Sequence, residues 1–97
     1  MNTSNEIYIS EAYQMADMLH KDLLLYLNCL HTTEMGVERI KRNLSIDTDD
    51  VVKWCQKKIR DPNADITRCG KNYYITVDNC IITVNAHSYT IITAHRL

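Results

Sequence analysis

An α+β fold is expected for this chain, with about three N-terminal helices packed on one face of a C-terminal antiparallel β-meander of three to four strands. Three observations point there. Apolar residues recur every three or four positions as far as residue 60; Asp61-Pro62-Asn63-Ala64-Asp65 interrupts that rhythm; and from Tyr73 onward apolar and polar residues alternate with period two. Ninety-seven residues suffice for one modest core, so a single domain over 1–97 is expected, helical over 10–60 and extended over 66–97.

The elements can be justified in order. Glu6-Ile7-Tyr8-Ile9 alternates briefly and offers one more edge strand. Residues 11–30 set Ala12, Met15, Leu19, Leu23, Tyr26, Leu27 and Leu30 along one helical face, with Ser10 as N-cap and Glu11 at the positive end of the dipole. His31-Thr32-Thr33 breaks the pattern. A second helix is predicted over about 34–44, with Val37, Ile40 and Leu44 inward, Glu38, Arg39, Lys41 and Arg42 outward, and Gly36 weakening its first turn. After Ser45-Ile46-Asp47, either Thr48 or Asp47 is the expected cap of a third helix whose stripe is Val51, Val52, Cys55 and Ile59, with Trp54 beside it. Asp47, Asp49 and Asp50 suit a helix start through the dipole, and no downstream Glu completes a calcium loop.

Pro62 ends that helix, and residues 66–69 lead through Gly70-Lys71-Asn72 into the strands. A two-residue turn at Asp78-Asn79 pairs Val77 with Cys80, Ile75 with Ile82 and Tyr73 with Val84, so that six apolar residues share one face. The other face then carries Tyr74, Thr76, Ile81, Thr83, Asn85 and, at its end, His87. The next turn, near Ala86-His87-Ser88, lacks glycine, which favours three loop residues, with Asn85 opposite Tyr89 and Thr83 opposite Ile91. In that register His95 lies on the open face, with Ile92 and Ala94 in the core. An even loop instead turns Thr93 and His95 inward and Arg96 outward.

Composition narrows the function classes. The apolar fraction of 45% and charged fraction of 24% are those of a globular protein. No run reaches the roughly 18 apolar residues of a membrane span, and the polar start is unlike a signal peptide, so a cytoplasmic location without membrane association is expected. Four separated cysteines without a Cys-x-x-Cys pair read as reduced, mostly buried thiols; neither a metal site nor any cofactor is expected. The net charge of −1 conceals an asymmetry: residues 1–50 hold four Lys/Arg against nine Asp/Glu, and residues 51–97 hold seven against three. The second half can meet an anion, while the first suits a basic partner or solvent.

The polar residues of the closing strands suit metal-free cleavage of RNA, whose 2′-hydroxyl supplies the nucleophile. Such chemistry needs a general base, a general acid and positive charge near the phosphorane. His87 and His95 are the candidate acid/base pair, Arg96 and Lys71 the charge stabilisers, Ser88, Thr93, Asn85 and Thr83 the positioning groups, and Tyr74 and Tyr89 the base-stacking rings. Each has a plainer explanation: a solvated lysine, threonines with high β propensity, or strand-end histidines that only satisfy local polar groups.

At Gly70-Lys71-Asn72-Tyr73-Tyr74 and from Thr83-Val84-Asn85-Ala86-His87-Ser88-Tyr89 through Thr90-Ile91-Ile92-Thr93-Ala94-His95, the sequence resembles a small bacterial and phage family of unknown function, over about residues 31–97. Its ending is also similar to the last strands of the barnase, EndoU, colicin and RelE-like ribonuclease superfamily. That second resemblance implies helices packed on a small antiparallel sheet, a toxin-like protein, and RNA cleavage without metal at places comparable to Ser88, Thr93, His95 and Arg96.

Two other functions compete. Residues 34–44, 45–47 and 48–60 read as helix, turn, helix, with the strand hairpin as the wing of a DNA-binding or regulatory module, although Asp49-Asp50 at the recognition helix opposes phosphate. The third reading is a small phage or bacterial inhibitor that engages a protein partner through the acidic N-terminal half and the strand face.

Overall fold

The computed structural model describes residues 23–97. The expected strand at 6–9, and the helix expected over 11–30 as far as residue 22, lie outside them. Residues 23–25 are helical and Leu27–Cys29 forms a 3-10 turn; the stripe predicted for this stretch is buried at Leu23, Leu27 and Leu30, whereas Tyr26, placed on the same face, is exposed.

Helix α1, Glu34–Leu44, begins where Thr33 turns its hydroxyl back to accept the Gly36 N–H at 3.0 Å, satisfying one of the free donors of the first turn. It ends in Ser45, which holds a left-handed φ of 53°, after Lys41 and Arg42 have placed positive charge at the negative end of the dipole. Helix α2, Val51–Ile59, is capped by Asp50, whose Oδ1 accepts the Lys53 N–H at 2.9 Å. Asp47 and Thr48 were the expected caps; Thr48 instead spends its hydroxyl on the Asp50 N–H at 3.2 Å and shapes the turn before the helix.

Four strands follow in an antiparallel meander ordered β1-β2-β3-β4: Asp65–Cys69, Asn72–Val77, Cys80–Asn85 and Ile91–Arg96. The β2–β3 register is the expected one, with Val77 opposite Cys80, Ile75 opposite Ile82 and Tyr73 opposite Val84. Its turn residues Asp78 and Asn79 both have positive φ, 49° and 61°, the mirror-image turn whose twist matches the flanking strands. Tyr73, Ile75, Val77, Cys80, Ile82, Val84, Ile91 and Ala94 share one buried cluster with residues of both helices, and α1 lies along β4. The chain is therefore α+β, with helical and sheet residues in a common core.

The β3–β4 connection differs from expectation. Four residues, 86–89, separate Asn85 from Thr90, because the Asn85 N–H reaches the Thr90 carbonyl at 2.9 Å. An even loop by itself would turn His95 inward. A bulge intervenes: Val84 faces Ile91 while Thr83 faces Thr93, so Ile92 is an extra residue and the parity is restored. His95 thus stands opposite Ile81 on the open face and Ala94 opposite Ile82 in the core, whereas Ile92, expected inside, is exposed.

Two expected results follow from packing alone. A Cβ at Gly36 would press into the Thr32 hydroxyl, which donates to the Ile91 carbonyl at 3.0 Å, and would lie 3.3 Å from the capping Thr33 Oγ1. Gly36→Ala should therefore lower stability in urea titration by about 1–3 kcal/mol, outweighing the gain of roughly 1 kcal/mol in helix propensity. The second concerns thiols. Cys55 and Cys80 are buried as expected, but Cys29 and Cys69 are exposed, so a thiol reagent at pH 8 should label two of the four quickly and the others only on unfolding. Burial pushes the Cys55 thiol up from 9.0 to about 12. The unfolded chain loses this proton first, so the stability Cys55 confers is whole below pH 9.0 and falls as pH rises toward 12, readable as a declining melting temperature of a Cys55-containing protein relative to Cys55→Ala.

Candidate functional site

The structure divides the sequence-predicted site residues among three places. One group gathers at the end of the sheet where the β1–β2 and β3–β4 turns meet. Asn72 faces Asn85 there, and the Ala86 N–H donates to the Lys71 carbonyl at 2.8 Å, which joins the two turns. Lys71, Asn85, His87, Ser88 and Tyr89 all belong to this end. Lys71 and His87 are exposed, and Gly70 supplies the positive φ of 59° that the β1–β2 turn requires.

Tyr74, Thr83, Thr93 and His95 belong to the open face. Tyr74 faces Thr83 and Thr83 faces Thr93, giving one cross-strand row, with His95 in the next row beside Ile81. Thr83, expected to contact substrate, is buried at 7% exposure between Tyr74 and Thr93. His87 and His95 are not a pair. Asn85, adjoining the turn that holds His87, lies four residues along β3 from the partner of His95, about 13 Å at the usual strand rise. His95 instead turns Nδ1 to the Arg96 carbonyl at 3.1 Å.

Arg96 is the third case. It stands opposite Cys80 on the helix side of β4, and its guanidinium donates to the Leu44 carbonyl, the last of α1, at 2.6 Å. There it complements the negative end of the helix dipole, so the guanidinium expected to stabilise phosphate charge is engaged on the helix side instead.

The sheet end also holds residues the sequence reading passed over. His31, in the connector before α1, pairs with Thr90 as a parallel bridge: its N–H donates to the Tyr89 carbonyl at 3.2 Å and its carbonyl accepts from Ile91 at 2.8 Å. Its ring lies between the Cys29 carbonyl, 2.8 Å from Nδ1, and the Thr90 hydroxyl, 3.0 Å from Nε2. A carbonyl only accepts, so Nδ1 carries a proton, and in the neutral ring Nε2 is the acceptor for a hydroxyl proton. Thr90 Oγ1 lies 2.7 Å from Ser88 Oγ, which in turn lies 3.2 Å from Asn85 Oδ1; with the Thr90 proton turned to His31, the single Ser88 proton serves one of these two acceptors at a time. Asn85 Oδ1 also accepts the His87 and Ser88 N–H groups, at 2.9 and 3.0 Å, which fixes the turn. Tyr89, held at φ 59°, sets its ring against Tyr26 with centroids 5.7 Å apart. Beneath this surface the Asn72 side-chain oxygen is buried, with no hydrogen-bond partner among the described residues.

Among the described residues no cluster of His, Cys, Asp and Glu has the arrangement of a metal site. The chemistry available at the sheet end is an oriented imidazole, a second exposed imidazole, a lysine, linked hydroxyls and a pair of tyrosine rings. No helix of the described residues is long and apolar enough to cross a membrane.

Comparison with curated proteins and with solved structures finds no match, so the looser likeness to the ribonuclease superfamily gains no support. A protein family described only as a protein of unknown function (DUF3781) matches residues 24–95, a span that takes in both helices, the sheet as far as His95, and the residues from His31 to Thr90 that meet at the sheet end. The chain belongs to that family.

Proposed function

We propose that this protein cleaves RNA without a metal ion, at the sheet end rather than across the open face. In this reading α1 and α2 cover one side of the sheet, and the turns present the reactive groups. The observation that carries it is the orientation of His31: Nδ1 is anchored on a carbonyl and Nε2 addresses a hydroxyl at 3.0 Å, the arrangement a general base needs toward a 2′-hydroxyl. The Thr90 hydroxyl occupies the position the substrate hydroxyl takes.

His31 accepts the 2′-proton as the 2′-oxygen bonds to phosphorus. The bond from phosphorus to the 5′-oxygen breaks, and His87 protonates the leaving oxygen. The products are a 2′,3′-cyclic phosphate and a 5′-hydroxyl. Lys71 offsets the charge gathered on the phosphorane, and the rings of Tyr26 and Tyr89 give a base a surface to stack on. A cytoplasmic location, where RNA is at hand, fits this reading.

The test is incubation of the protein with end-labelled RNA in EDTA. Cyclic phosphate ends from the wild type, absent with His31→Ala, are expected; intact RNA across several sequences overturns the proposal.

A second reading draws on the open face itself, where Tyr74 and Ile92 are exposed beside half-buried Ile81 and Thr93 and no lysine or arginine projects from the central strands. Such a surface suits a protein partner better than a polyanion, in keeping with an inhibitor-like role. The winged-helix reading draws least from the geometry, because the β2–β3 hairpin is the inner pair of a four-stranded sheet rather than a free wing.

A further inference from the structure

An open cleft lies on the helical side, away from the sheet-end residues. It encloses about 230 Å³ and is lined by Thr48, Asp50, Lys53, Trp54 and Lys57. Trp54 is half-buried, packed against the core from the outer side of α2. Around the helix, Lys58 stands on one side of Trp54 and Asp50, Lys57 and Lys53 on the other, since residues three and four apart are neighbours on a helix surface. Lys58 is already engaged: its ammonium lies 2.6 Å from Asp78 and 5.3 Å from the centre of the indole ring. Lys53 and Lys57, on the cleft side, are exposed and have no carboxylate partner among the described residues. Asp50 is the one carboxylate in the lining, and its Oδ1 is occupied by the Lys53 N–H.

An indole wall beside two unneutralised ammonium groups has the chemistry to take a flat ring and an anion together. We infer that this cleft binds one nucleotide unit of a single-stranded nucleic acid, the base against Trp54 and the flanking phosphates on Lys53 and Lys57. Stacking on an aromatic side chain is indifferent to base identity, and lysines track the backbone as point charges, so binding is sequence-tolerant and salt-sensitive. The cleft accounts for lysines that the core does not need and for the outward placement of the large aromatic residue of α2. It stands apart from the cleavage reading, because none of its residues belongs to the sheet end.

Trp54 is the single tryptophan of the chain, so its fluorescence reports the cleft directly. The probe is an eight-nucleotide oligodeoxyadenylate, which lacks the 2′-hydroxyl and so cannot undergo the proposed cleavage. Saturable quenching is expected, weakened at least tenfold in Lys53→Ala/Lys57→Ala, with the slope of log affinity against log salt reduced by about 1.4 for two lost phosphate contacts. Both lysines are exposed helix positions, so the double variant should keep the wild-type circular dichroism. Quenching should persist unchanged in His31→Ala. No quenching, equal quenching by inorganic tripolyphosphate, or an undiminished affinity in the double variant overturns the inference. Oligodeoxyadenylate binding alongside intact RNA in the cleavage assay would leave this cleft standing and remove the nuclease.

Discussion

Ile82→Ala is expected to destabilise the fold by about 2–5 kcal/mol, whereas Ile81→Ala, one residue earlier on the same strand, is expected to cost less than about 1.5 kcal/mol. The two residues have the same side chain and nearly the same place in the sequence. Ile82 is fully buried in the middle of the inner strand β3, between Ile75 and Ala94, while Ile81 is half-buried on the open face between Thr76 and His95. Removing the Ile82 side chain leaves a cavity that neighbours on two strands cannot close without moving the ladder. A domain of this size is stable by roughly 5–15 kcal/mol, so the Ile82 variant forfeits a large share of its margin. Urea unfolding of both variants checks it, through the midpoint at constant slope. Equal losses would mean that both faces of the sheet are covered.

That contrast is legible in the sequence because the β2–β3 turn is local. Asp78 and Asn79 tolerate positive φ, a two-residue loop allows only one parity, and the parity places six apolar residues together. The β3–β4 turn carries no comparable signal. Neither Ala86, Ser88 nor Tyr89 announces a left-handed residue, yet Tyr89 adopts one, and the loop is one residue longer than the expected three. His95 reaches the open face all the same, because the bulge at Ile92 offsets the error in loop length. A bulge depends on how the edge strand meets its neighbours, which residue type alone does not encode.

The candidate site was legible only in part, for a related reason. Lys71, Asn85, His87 and Ser88 stood out because uncharged polar and basic residues crowd a short stretch, and the fold does bring them to one end. The ring that orients the cluster comes from His31, 59 residues before Thr90 in the chain. No periodicity spans that gap; the sole hint was a histidine in a connector where apolar rhythm fails. Arg96 was misplaced by the opposite effect. It was expected to stabilise phosphate charge, but the alternation that turns His95 outward turns Arg96 toward α1, where the Leu44 carbonyl needs a donor.

His31→Asn is expected to reduce RNA cleavage by about 10²–10⁴-fold, the usual worth of a positioned general base, with little loss of stability. The amide can still donate to the Cys29 carbonyl as Nδ1 does, so the connector stays pinned while the Nε2 base is gone. His87→Ala should fall by a similar factor if it protonates the leaving oxygen. His95→Ala should cleave like the wild type, since it lies at the far end of the open face. Thr90→Val separates chemistry from scaffolding. If the Thr90 hydroxyl merely fills the place of the substrate hydroxyl, its removal leaves cleavage within about tenfold of wild type. If the hydroxyl chain to Ser88 and Asn85 exists to hold the turn, Thr90→Val and His31→Asn lower the melting temperature alike and cleavage follows stability. Initial cleavage rates, measured with each variant's thermal midpoint, decide between these outcomes. Rates that follow the midpoint, or that His95→Ala alone abolishes, would return the sheet end to a structural role.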